Sequence, residues 1–191
     1  IMQVMAKGAE RILSDLHKRG EVDGVIGVGG QQGTWIATAA MKCLPIGTPK
    51  VVVSTVASGN IRPYIGHKDI AVIFSVADMV GGLNIVTQRI LENAAGAIVG
   101  MVEMRESKGA RSFSSPLGRR VIGITALGTT EQAARRASDL LRTRGYETIT
   151  FHASGACGSA MEELIDQGLI HGVLDLSPHE LIGEIFPEDI Y

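Results

Sequence analysis

Apolar positions along the first hundred residues alternate between two periods. Met5, Ala9, Ile12, Leu13 and Leu16 recur at helical spacing, and Lys18, Arg19 and Gly20 close the run, which predicts a helix over residues 2–19. Three short apolar runs follow, VDGVIGV at 22–28, KVVVS at 50–54 and DIAVIFS at 69–75. Continuous apolar runs of this length read as strands buried on both faces. Between them lie a helix from about 34 to 43, closed by Pro45 and Gly47, and one over 83–99. The latter carries Ile90, Leu91, Ala94, Ala95 and Ile98 on one face, apolar enough to pack on a partner and predict a dimer or larger assembly.

Residues 103–118 break the pattern. They are charged, Ser-rich and punctuated by Gly and Pro, which reads as a connector or exposed loop. A second block then begins, with strands at 120–126, 147–151 and 172–176 and helices at 131–144 and 159–167. In its first helix Ala133, Ala137, Leu140 and Leu141 are expected inward, with Arg135, Arg136 and Asp139 outward. In its second, Met161, Leu164 and Ile165 are expected in the core. Buried strands alternating with helices mean parallel βαβ units. The fold class is therefore α/β, with mostly parallel sheets between two helix layers. There are two subdomains, 1–102 and an incomplete 119–191, with 103–118 as the connector.

Composition narrows the function classes. With 191 residues, 45% hydrophobic and 20% charged, the chain can bury a sizeable core and is no disordered tail. Eighteen Lys+Arg against twenty Asp+Glu give no basic excess for a nucleic acid. No apolar run reaches the ~18 residues of a membrane span, and no secretory signal is seen. Cys43 and Cys157 make no disulfide framework, so a reduced, cytoplasmic setting is expected. Aromatics are scarce at 4%, which leaves small aliphatics to fill the core. The 24 glycines are nearly twice the usual share of about 7%.

Those glycines concentrate where ligands bind. Four segments of Gly, Ser, Thr, Gln, Asn and His each follow a predicted strand, at 29–34, 55–60, 128–130 and 152–158. In a parallel sheet they share the carboxyl edge. Small residues ahead of a helix offer free amides and the positive end of the helix dipole, which suits a phosphate or carboxylate. The candidate residues are Gly29, Gly30, Gly33, Thr34, Thr55, Ser58, Gly59, Thr129, Thr130, Ser154, Gly155 and Gly158. Two phosphate fingerprints fail, because Gln32 stands where G-x-G-x-x-G needs its last glycine, and no Walker lysine is present. No G-x-S-x-G elbow occurs. Cys157 with His152 as base is a candidate nucleophile, although Cys157 reads better as a small loop residue. His152 and Cys157 are too few and too loosely spaced for zinc. Glu162 and Glu163 read as solvated residues or as holders of a metal or a ribose hydroxyl. Asp78 binds a ligand or caps the next turn.

Three stretches together carry a resemblance. GGQQGT at 29–34, STVASG at 54–59 and HASGACGSAME at 152–162 resemble the tomato mosaic virus resistance protein-like ATP-binding domain family of bacteria, fungi and plants. The likeness runs over nearly the whole chain in the same order. It implies an ATP-binding module of two Rossmann-like subdomains, dimeric, without established catalysis, and in one plant relative bound to a viral protein partner. Cys157 departs from the family's glycine at that place. The family pattern also extends beyond Ile1 and Tyr191, which implies an internal fragment with a sheet edge for another chain to cover. On this reading ATP spans the loops of both lobes, with its charge met by Mg²⁺ or by Arg62. The alternative is an enzyme acting on a phosphorylated or carboxylated metabolite at the same loops, with His152 as general base.

Overall fold

A computed structural model describes residues 1–80, 82–107, 115 and 117–186. The chain forms two compact units, Ile1–Arg111 and Ser112–Tyr191. The first contains α1 (Met2–Lys18), β1 (Val25–Gly29), α2 (Gln31–Met41), β2 (Lys50–Ser54), α3 (Arg62–Ile65), β3 (Ala71–Phe74) and α4 (Ile85–Ser107). Its strands form a parallel sheet in the order β1-β2-β3, with Gly29 opposite Ser54 and Ser54 opposite Phe74. Both crossovers step in the same direction, so right-handedness puts α2 and α3 on one face. There Met41, Ala37 and Ile65 pack with Val52 and Ile70, and α1 lies along α2. On the opposite face Ile90, Leu91, Ala94 and Ile98 of α4 cover Val51, Val53 and Ile73. The unit is thus a Rossmann-like sandwich of three layers.

Only β2 is buried along its whole length. β1 is an edge strand whose Ile26 and Val28 remain 41% and 45% exposed, because α4 seats its stripe on the strands beside it. The α4 face read as a partner surface instead covers the unit's own sheet, and of the five residues named only Ala95 is exposed. Residues 103–107, read as connector, continue α4. Val102 packs so closely on Gly24 that a Cβ there would lie 2.8 Å from it, and Arg105 Nη1 donates to Asp23 O at 3.4 Å. Apart from 115, 117 and 118, the rest of that connector lies outside the described residues.

The second unit contains β4 (Val121–Ala126), a 3-10 turn (Gly128–Thr130), α5 (Glu131–Thr143), β5 (Glu147–His152), α6 (Ala156–Asp166), β6 (Gly172–Asp175) and α7 (His179–Ile185). Its strands are parallel in the order β5-β4-β6. The two crossovers run in opposite directions, so their helices take opposite faces. Ala134, Ala137 and Leu141 of α5 pack on Ile122, Ile124 and Leu174, while Met161 of α6 and Ile170 fill the space over Gly123. The inward face of α5 is turned by one residue from expectation. Ala134 and Ser138 are buried, and Ala133 and Leu140 are exposed, since the stripe runs 134, 137, 138, 141. Met161 and Leu164 lie in the core as expected, but Ile165 is 39% exposed. No described helix is long and apolar enough to cross a membrane.

The largest fully buried side chain is a lysine. Lys50 opens β2, and its Nζ meets Asp69 Oδ1 at 2.8 Å, Pro45 O at 2.8 Å and Thr48 O at 2.7 Å. Asp69 Oδ2 in turn accepts from Gly47 N at 2.7 Å. The ammonium therefore joins the turn before β2 to the approach to β3. Lys50→Met removes the donor and leaves buried carbonyls unpaired. The expected loss is about 3 kcal/mol of unfolding free energy, measured by urea titration.

Candidate functional site

The carboxyl edge of the first sheet is built around the start of α2. Gly30 caps the helix in an extended conformation. Thr34 N donates to Gly30 O at 2.8 Å, which closes the first turn three residues earlier than the sequence suggested. Gly33 and Thr34 are therefore helical. The Thr34 side chain is fully buried, with its hydroxyl 2.6 Å from Ser54 Oγ and 3.3 Å from Gly29 O. Thr34 thus fastens α2 to β1 and β2, and its donors are used within the fold. Ser54, which the candidate set omitted, also accepts Val56 N at 3.1 Å. The amides of Gln31, Gln32 and Gly33 have no helical acceptor and sit at the positive end of the helix. Thr55 lies beside them, its hydroxyl 3.5 Å from where a Cβ on Gly30 would be. Ser58 and Gly59 follow in the exposed turn after β2.

The glycines of this edge have different reasons to be there. A Cβ on Gly29 would lie 2.8 Å from Gly33 Cα, so the strand end and the helix can meet only through glycine. A Cβ on Gly30 or Gly33 would find its nearest neighbour at 3.5 or 3.6 Å, an ordinary contact, and neither residue has positive φ. The fold requires glycine at 29 and would accept a side chain at 30 and 33.

At the end of β3, Val76 has a φ of 62°, a left-handed conformation that costs an L residue roughly 1–2 kcal/mol. Asp78 Oδ1 accepts Val80 N at 3.1 Å, so Asp78 closes the turn it precedes. Nothing in the composition signals the Val76 turn.

In the second unit the loops after β4 and β5 lead to helices on opposite faces, the arrangement that opens a crevice at a sheet's carboxyl edge. Thr130 Oγ1 accepts Leu127 N at 2.9 Å and lies 2.7 Å from Ser177 Oγ. Thr129 is exposed. Thr125 Oγ1 bonds the Asp175 carboxylate and accepts Leu176 N at 3.0 Å and Ser177 N at 3.2 Å. The sequence reading missed this network. It also missed α7, although Ser177-Pro178-His179-Glu180 has the S-x-x-E spacing and early proline of a helix start. α6 begins at Ala156, so Cys157 and Gly158 belong to its first turn. Gly155 has a φ of 87°. The amides of Gly155 and Gly158 both donate to Glu180 Oε1, a carboxylate supplied by the chain itself, while Ser154 N donates to His152 O at 2.8 Å.

The remaining polar candidates stand apart from these edges or in plain solvated roles. Glu162 is exposed, and Glu163 accepts from Gln167 Nε2 at 2.8 Å. His152 is exposed at the end of β5. Burial, aided by Glu10, lifts the Cys43 thiol above its ordinary pKa. Among the described residues no three His, Cys, Asp or Glu side chains converge on a point that could hold a metal ion.

The two kinds of glycine separate experimentally. Gly29→Ala is expected to lower unfolding free energy by about 1–3 kcal/mol through overpacking. Gly33→Ala, inside a helix, is expected to raise it by up to about 1 kcal/mol. Paired urea titrations measure both.

Residues 1–107 match the uncharacterised protein family UPF0261 N-terminal domain, and residues 119–188 match its C-terminal domain. A UPF0261 protein of Clostridium tetani is 46% identical over 96% of this chain and 44% of its own length. The ToMV resistance protein Tm-1(GCR237) of Solanum lycopersicum is 41% identical over 93% of this chain and 23% of its own. A UPF0261 protein of Mesorhizobium japonicum is 41% identical over 90% of this chain and 42% of its own. The chain thus spans less than half the length of these curated relatives.

Proposed function

The chain belongs to the UPF0261 family, and on that premise we propose that it is an ATP-binding module serving regulation or protein interaction. The observation that carries this reading is the pair Gly30 and Gly33. Both are glycine where the fold has room for a side chain, and both flank the free amides at the start of α2. A triphosphate explains them, because its oxygens must approach those amides more closely than a Cβ allows. Thr55 adds a hydroxyl at the same edge, and Ser58 and Gly59 lie along the adjoining turn. The family resemblance, which implies a bound protein partner in one plant relative, supports a role in protein interaction. Mg²⁺ would enter with the triphosphate, held by phosphate oxygens and water. Arg62, exposed at the start of α3, is the nearby cation in sequence.

The test is Gly33→Asp. A carboxylate ~4 Å from a phosphate repels it by roughly 4 kcal/mol at an effective dielectric constant of about 20, or about a thousandfold in affinity. Calorimetry with ATP is expected to show binding to the wild-type chain and none to the folded variant. Equal affinities would reduce the glycine edge to a turn.

Self-association is also part of this reading, now on the outer face of α4. Val99 and Met104 are 53% and 58% exposed there, with Gly100 between them. Light scattering is expected to give a mass above 20.2 kDa at micromolar concentration, and Val99→Lys to lower it.

A further inference from the structure

We propose that His171 is an acid-sensitive clasp at the amino end of the second sheet, an imidazole whose protonation unpairs the first rung between β4 and β6. The proposal is independent of the nucleotide reading. Pairing of these two strands runs from Ile122 opposite Gly172 to Thr125 opposite Asp175. One step before it, His171 N donates to Val121 O at 2.8 Å. The return bond does not go to a backbone carbonyl. Val121 N donates instead to His171 Nδ1 at 3.1 Å, so a side chain completes the rung that the backbone leaves open. Val121 is buried, and a buried amide without an acceptor is costly.

A backbone amide is a donor at every pH, so Nδ1 accepts from it only while it holds a free lone pair. The ring that makes this bond is therefore neutral, with its proton on Nε2. In the imidazolium both nitrogens carry protons, and two donors face each other. His171 is exposed, which lets the charged ring turn into water and leaves Val121 N without its acceptor. The rung belongs to the neutral form, so it holds at higher pH and is lost as pH falls through the imidazole range. Charged groups on the neighbouring elements are Arg119 and Arg120, which lead into β4, Glu147 opposite Val121 in β5, Arg142 in the last turn of α5 and Asp166 at the end of α6. Glu147 accepts from Ser115 Oγ, and Arg142 Nε donates to Thr148 Oγ1. Carboxylates and guanidinium groups ordinarily keep their charge between about pH 5 and 8, the range in which imidazole changes its own. The other imidazoles of this unit, His152 and His179, end β5 and begin α7, beyond the opposite end of the sheet. A response of Val121 in that range therefore reports His171.

The test is an NMR titration of the 191-residue chain from about pH 8 down to about pH 5. At the upper end a scalar coupling across the hydrogen bond between Val121 N and His171 Nδ1 is expected, and it is expected to vanish as the ring protonates. Hydrogen exchange at Val121, corrected for the intrinsic dependence of exchange on pH, is expected to lose about fivefold in protection over the same titration, the weight of one neutral hydrogen bond. His171→Asn puts an amide oxygen in the place of Nδ1 and does not titrate, so its Val121 protection is expected to stay flat. His171→Leu has no acceptor and is expected to show the lower protection at every pH. The amides of Ile124 and Thr125, further along β4, report that the unit remains folded. Absence of the coupling at the upper end, or a Val121 protection with the same pH dependence in the wild type and His171→Asn, overturns the clasp.

Discussion

Burying Lys50 constrains the first unit from below. β2 is apolar in its middle and polar at both ends, and every residue of it is inaccessible. A buried ammonium without partners costs several kcal/mol, so β2 can lie only where Pro45 O, Thr48 O and Asp69 converge on the lysine. A slip of one residue would carry Lys50 away from all three. The upper end obeys the same demand with hydroxyls in place of charge. Ser54 and Thr34 are both fully buried and satisfy each other. That bond sets α2 against the strand ends and aims the amides of Gln31, Gln32 and Gly33 at the carboxyl edge. The geometry of the candidate site is therefore a consequence of where two buried polar residues can find partners.

What the sequence revealed follows from how local each signal is. Val51, Val52 and Val53 between turn residues mark a central strand without help from the rest of the chain, and β2 has the predicted bounds. The βα alternation in two blocks is equally local, and the parallel sheets follow from it. Features set by distant partners were hidden. α4 runs on through Glu103 and Glu106 because Val102 and Arg105 find Gly24 and Asp23, some eighty residues away. Ile26 and Val28 look like core residues until the strand order makes β1 an edge. The α4 stripe of Ile90, Leu91, Ala94 and Ile98 was correctly seen as apolar, yet composition cannot say whether such a stripe meets its own sheet or another chain. Here it meets its own. At the candidate site the strand-end placement of the glycines was legible. The burial of Thr34 and the engagement of Thr130 were not, because both depend on hydroxyls distant in the chain, Ser54 and Ser177.

The two carboxyl edges reach the same device by different routes. Each presents the first turn of a helix at the end of a parallel strand, with glycine near the cap. In the first unit the amides of that turn are left to solvent or ligand. In the second they are met by Glu180. A pattern such as G-G-x-x-G or S-G-x-x-G looks alike in both places. The reasons for each glycine differ all the same. Gly29 exists for backbone contact with α2, Gly155 for its positive φ, and Gly158 because a carboxylate lies against it. Gly30 and Gly33 have no such reason inside the chain. Both carry the folding-entropy cost of glycine although a Cβ would meet only ordinary contacts at either position. That asymmetry separates the two edges: no neighbour requires the glycines at 30 and 33 of the first, whereas in the second the chain's own Glu180 meets the amides of the turn.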